Sequence, residues 1–301
     1  MRTHISGLLL LLMFHFSVAG TGKITITEIL LDITMDTPPL HMAPGIDDSL
    51  WIVMQDEPII RLLNGAGVVV RSFGGFGTGY CEFRDRIDLV DSYSLFIYAA
   101  DTDNNRILKL NRLGVCVREI RNQGDETFET WRPSSVSISE SGRIYVADSD
   151  AGTVHYIDTF DGLRTFIDPS DRGMSIPLQP ILMACDGETL YVVDGSDGAV
   201  YSFDALGTRL GKKRTNFEIC SFDVTLHGYC VIADRISDDV YLGHWNDDTW
   251  VSLRDLIPKL GKFIPSYVCF MNDTNTPQQE RYLIVIDSAL RRIVKLRVHF
   301  S

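Results

Sequence analysis

The chain has 301 residues, 45% of them hydrophobic and 23% charged, with 28 Lys and Arg against 40 Asp and Glu for a formal net charge of -12. That apolar share supports a buried core and argues against a disordered chain. The acidic balance repels phosphate backbones, so no nucleic-acid partner is expected, and the one dense basic cluster, Lys212-Lys213-Arg214, reads as a solvated turn.

In chain order, the first segment reads as an address. Arg2 precedes the apolar run 8–14, and Ser17-Val18-Ala19 is a small-residue cleavage site, so 1–19 is expected to be a signal peptide. The run is broken by His15 and Ser17 and falls short of the roughly 20 residues that a membrane helix needs. The expectation is a secreted or periplasmic, monomeric domain over 20–301, without membrane insertion. Next comes 23–30, Lys-Ile-Thr-Ile-Thr-Glu-Ile-Leu, whose strict alternation predicts a strand.

Six copies of one unit follow, at 50–73, 95–120, 142–167, 189–210, 229–253 and 281–298. Each reads as an apolar strand, a polar turn, a second strand, a glycine-bearing turn and a third strand. An aspartate ends the first of these strands at Asp101, Asp148, Asp194, Asp234 and Asp287, and Met54 holds the slot in the first copy. From Met54 the steps are 47, 47, 46, 40 and 53 residues, the period of a propeller blade. A further strand precedes each copy, such as 40–43 and 135–139, so each blade has four antiparallel strands. Continuous apolar runs such as Tyr282-Leu283-Ile284-Val285-Ile286 imply sheets buried on both faces. Alternating runs such as Val117-Arg118-Glu119-Ile120 imply half-solvated rims.

The last copy has no room for a rim strand before Ser301, and the strand at 23–30 has no neighbour of its own. Together these predict an all-β, six-bladed β-propeller whose N-terminal strand completes the last blade and removes an exposed edge. Through Ile144-Tyr145-Val146-Ala147-Asp148, Leu190-Tyr191-Val192-Val193-Asp194 and Tyr98-Ala99-Ala100-Asp101, the chain resembles the NHL-type six-bladed propellers. That resemblance implies the fold and leaves function open, because the scaffold carries binding modules, lyases and lactonases.

The repeated aspartates suit side chains that accept backbone N–H bonds in the following turn. Nearby acids, Asp103, Asp150, Asp197, Asp238 and Asp239, form an acidic rim with at most weak calcium affinity, and no cofactor is expected. Six cysteines permit disulfides, in any of 15 full pairings. The connection Gly74-Gly75-Phe76-Gly77-Thr78-Gly79-Tyr80-Cys81-Glu82-Phe83-Arg84 leads into a strand, not a helix, which argues against phosphate binding. It shares a face with 122–131 and 168–177, so Tyr80, Phe83, Phe128 and Trp131 are expected to form an aromatic patch edged by Arg84 and Glu129. A partner protein, peptide or glycan would dock there. Packing of the same rings onto the blades is the alternative.

His41, on the first innermost strand, is the weak catalytic candidate, as a channel-facing general base or metal ligand. Related lactonases hold a divalent metal in the channel and begin their first inner strand with a Glu-Gly-Pro-like segment. Here the region reads His41-Met42-Ala43-Pro44-Gly45, without the glutamate. A binding or scaffold role is therefore favoured, with a metal-dependent hydrolase or lyase as the alternative.

Overall fold

The computed structural model describes residues 24–300 except 85–86, 92–94, 122–130, 169–177, 226, 262 and 272–279. The proposed signal peptide lies outside the described residues. Twenty-four strands form six four-stranded antiparallel sheets. In the first, Pro39–Pro44, Leu50–Met54, Ile59–Leu63 and Val69–Gly74 follow one another from the axis to the rim. The innermost strands of the other blades are Ile87–Asp91, Pro133–Ile138, Pro180–Asp186, Ile219–Val224 and Pro265–Met271, and each contacts the next around a closed ring.

The burial pattern explains why the sheets stack. Leu50–Met54 and Ile144–Asp148 are buried at every residue, because both faces of a second strand meet a neighbouring blade. The core is accordingly divided into six apolar clusters, most of them set between adjacent blades.

The sixth blade is closed by the N-terminal strand, which runs Ile24–Thr34 and pairs antiparallel with Arg292–Phe300 from Ile24 opposite Phe300 to Thr34 opposite Arg292. It is longer than the alternation suggested, because two register shifts let the strand continue past Leu30 around the rim. The stretch after the fifth rim strand is a single helical turn, Leu253–Leu256, capped by the Ser252 hydroxyl, followed by a 3-10 turn. The basic cluster is not a turn. It lies in the rim strand Arg209–Arg214, where Lys212 pairs with Asp197 and Lys213 donates to the Trp245 carbonyl.

The aspartate slot works as a cross-link. Asp148, Asp194, Asp234 and Asp287 each accept backbone N–H bonds in their own turn, from Ala151, Ser196, Ser237 and Leu290 among others. Together with Asp101 they also accept an N–H from the end of the preceding rim-to-axis connection, that of Arg132, Gln179, Glu218 or Ile264 immediately before the innermost strand and, for Asp101, that of Arg84 three residues before it. Each such bond contributes on the order of 1 kcal/mol, and the repetition fixes one whole face of the disc.

Candidate functional sites: the loop face and the channel

The glycine-rich connection between the first and second blades folds back on itself. Phe83 donates its N–H to Gly75 O at 2.7 Å, and Gly77 donates to Phe83 O at 2.9 Å. A Cβ on Gly77 would stand 1.9 Å from the Glu82 carboxylate, which accepts the Gly79 N–H, so a larger residue would push that carboxylate off its bond. A disulfide joins Cys81 to Cys116 at the start of the second rim strand, Cys116–Ile120, and the Tyr80 hydroxyl donates to Cys116 O at 2.8 Å.

Beneath the loop lies a buried charge network. Arg106, 1% exposed, donates Nε to Asp101 Oδ2 at 2.8 Å and Nη2 to the carbonyls of Gly79 and Glu82 at 3.0 and 2.7 Å. Asn104 bridges Asp101 Oδ2 and Gly77 O. A single arginine and a single asparagine thereby satisfy carbonyls that a loop without secondary structure would leave bare.

Of the rings expected in one patch, Tyr80 alone is found exposed, at 61%. Phe83 is fully buried between the first two blades, packed among Trp51, Ile60 and Leu89. Trp131 is buried with Tyr98 and Val136. These two rings attach loops to blades, because their side of the connection faces an inter-blade gap that needs filling. Phe128 and Glu129 lie outside the described residues. Arg84 is exposed and contributes its backbone N–H to Asp101. The exposed companion to Tyr80 is Phe76, 70% exposed on the same loop. Its signal was available in the sequence: a ring flanked by Gly75 and Gly77 has no adjacent side chain to cover it.

Around the axis each innermost strand contributes one residue at the same register to a belt: His41, Asp88, Ser135, Leu182, Ser221 and Tyr267. Innermost strands are edges, so their outer N–H groups need partners. The belt supplies them, since Asp88 Oδ2 accepts from Val136 N at 2.7 Å, Ser135 Oγ from Met183 N at 3.2 Å, and Ser221 Oγ from Val268 N at 3.0 Å. Asp88 also takes His41 Nε2 as a partner, and the imidazole packs 3.9 Å from the Tyr267 ring. The other ring nitrogen, His41 Nδ1, is buried without a hydrogen-bond partner. Spacing within the chain could not have shown this pair, whose members lie in different blades.

One level along the channel, Asp223 accepts from Phe270 N and Val224 N, and burial pushes its carboxyl up to about 7. Burial likewise raises the neighbouring Cys269 thiol well above its ordinary value, which makes it a poor nucleophile. Among the described residues no group of three or more His, Cys, Asp or Glu side chains converges as a metal site. Nor is any helix among them long and apolar enough to cross a membrane.

No protein-family model matches the chain, and no curated protein sequence does. Solved structures do. A gluconolactonase from Xanthomonas campestris superposes with a TM-score of 0.63 at 14% identity, over 95% of this chain and 100% of the other. Virginiamycin B lyase from Staphylococcus aureus gives 0.60 at 11%, over 92% and 99%. The WD40 repeats of RRP9 give 0.56 at 12%, over 91% and 81%. At these identities the likeness is one of fold, and the six sheets with their N-terminal closing strand are a six-bladed β-propeller.

Proposed function

We propose that this chain is an exported, NHL-type propeller that binds a protein or peptide through its glycine-rich loop face. The observation that carries the reading is a rigid loop, held by a disulfide and by Arg106 and Asn104, that leaves Phe76 and Tyr80 exposed. Preorganised aromatic side chains lose little entropy on docking and are common interface anchors. A disulfide in the loop fits an oxidising compartment, in keeping with the expected signal peptide. The test is quantitative capture from the native exported fraction by the wild type and by Phe76→Ala/Tyr80→Ala. Capture of a specific partner should fall at least about tenfold, equivalent to ~1.4 kcal/mol, with the melting temperature within a few degrees of wild type. Undiminished capture would remove the loop from the binding face.

A second reading, hydrolysis or elimination in the channel, draws on His41. Asp88 holds its Nε2 and so orients the ring, while Nδ1 is buried without a partner and would have to be uncovered to take a proton from a substrate. The neighbours' named activities suggest gluconolactone, virginiamycin B and quinupristin as the compounds to screen. Turnover that His41→Asn abolishes would favour this reading over binding.

A further inference from the structure

A cleft of about 400 Å³ lies between the fourth and fifth blades, entered from the face opposite the glycine-rich loop. The repeat explains why it is there. In every blade a row of three cross-strand neighbours on the second, third and rim strands projects toward the next blade. In the fourth blade the row is Tyr191, Ser202 and Gly211. The last two positions of the equivalent rows carry Leu62 and Arg71, Lys109 and Arg118, Tyr156 and Arg164, Leu242 and Val251, and Lys295 and Leu31. Most of these bulkier side chains fill or cross the gap between blades, although Arg164 turns back to Asp158 of its own blade. Arg71 reaches Leu113 O, and Lys109 and Arg118 both reach Asp161. Only the fourth row shrinks to a hydroxymethyl group and a hydrogen, and the space it vacates is the cleft.

The walls have a definite chemistry. Thr189, Tyr191 and Ser202 line the space, and among the described residues their hydroxyls have no hydrogen-bond partner, so each offers a donor and an acceptor. Asp186 closes one side and accepts the Gly228 N–H at 2.8 Å with one oxygen, which leaves further acceptor positions. Trp245 forms the opposite wall, fixed by its N–H to Gly228 O and by an edge contact with Tyr191 at 4.8 Å. His244 contributes a ring whose two nitrogens are already engaged by His227 O and Asn246 N. Among the described residues no lysine or arginine lines the cleft, so an anionic ligand such as phosphate has no counter-charge in its walls, Lys213 behind Trp245 being engaged by the Trp245 carbonyl.

Hydroxyls that both donate and accept, a carboxylate acceptor and an indole wall match a ring that carries several hydroxyls around apolar C–H faces. We infer that this cleft is a binding site for a single neutral sugar ring, free or at the end of a glycan. The site is independent of the loop face, and failure of either proposal leaves the other standing.

The experiment titrates the intact protein with the methyl glycosides of glucose, galactose, mannose and N-acetylglucosamine by saturation-transfer NMR and calorimetry, beside tetramethylammonium and inorganic phosphate. At least one glycoside should bind saturably in the millimolar range, with phosphate silent. Gly211→Arg restores the side chain that three other blades carry at this position, and a Cβ there meets only Ser202 Oγ, at 3.2 Å. It should abolish glycoside binding, a loss of at least about tenfold in affinity, while the melting temperature stays within a few degrees. Ser202→Leu fills the same gap from the neighbouring strand and should do likewise. The inference is overturned if no glycoside saturates, if tetramethylammonium binds as well as the best sugar, or if both filled variants bind like the wild type.

Discussion

The second and third blades place an aspartate in the same slot and use it differently. Asp101 and Asp148 are both fully buried. Opposite Asp101 on the next strand stands Arg106, whereas Thr153 faces Asp148. With an arginine across from it, Asp101 has both oxygens engaged: Oδ1 by the Arg84 N–H, and Oδ2 by Asn104 and Arg106. The arginine then extends outward to hold the loop. Asp148 gathers the N–H groups of Arg132, Asp150 and Ala151 on Oδ1 alone and leaves Oδ2 buried without a partner. Burial raises its carboxyl above the usual range, with those N–H bonds opposing the shift. In these two blades the residue across the ladder separates an aspartate whose arginine partner reaches out to the carbonyls of the glycine-rich loop from one that holds only backbone N–H groups.

Arg106 is the residue that sets the two slots furthest apart. Arg106→Leu leaves the Asp101 carboxylate buried without its counter-charge and frees the carbonyls of Gly79 and Glu82, so stability should fall by about 3–5 kcal/mol in chemical denaturation. Amide exchange in 74–84 should accelerate at the same time, and the double variant Asp101→Asn/Arg106→Leu should recover part of the loss. If the single variant melts like the wild type, the network does not hold the loop.

Phe83→Ala and Tyr80→Ala sharpen the contrast within the loop itself. The first opens a cavity between two blades and should cost about 3–5 kcal/mol. The second loses an exposed ring and one hydrogen bond to Cys116 O, at about 1 kcal/mol or less. Equal costs would mean that Tyr80 is as deeply packed as Phe83.

The smaller effect belongs to the unpaired carboxyls, and its sign is fixed by linkage. Asp148 and Asp223 hold protons more tightly in the folded than in the unfolded state, because burial raises both. For Asp223 the extra proton is held between the unfolded carboxylate range, near 4, and about 7, and the Asp148 carboxyl is shifted in the same direction. Stability from these groups is lowest above pH 7 and increases as pH falls through that window, opposite to a salt-bridged carboxylate. Asp148→Asn and Asp223→Asn should each flatten this slope in melting curves from pH 5 to 8. A slope unchanged in both would show that other groups set it.

Much of the fold was legible because two local signals repeat: the aspartate slot, and second strands apolar at every residue such as Leu283 to Ile286. The closing strand was legible because an alternating segment without a neighbour and a blade without a rim can satisfy only each other. The sites were not. His41 meets Asp88, and Ser135 meets Met183, across distances in the chain that no period-two pattern spans, and a register shift between Pro39 and His41 alters which side the histidine takes. Phe83 and Phe76 sit in the same glycine-rich text with opposite fates, decided by an inter-blade gap that exists only after the ring has formed. Cysteine counting permitted many pairings, and the fold brings Cys81 to Cys116 through the turn of that same loop.

The seam between Ile24–Thr34 and Arg292–Phe300 has a consequence for biogenesis. Its two halves are the earliest and latest parts of the domain to leave the ribosome, so a nascent chain carries an unmatched, isoleucine-rich segment through nearly the whole of synthesis. Until that partner arrives, the segment is a sticky end open to any passing β-strand. Closure of so long a loop is entropically slow, so the ring assembles only after the last strand has been made.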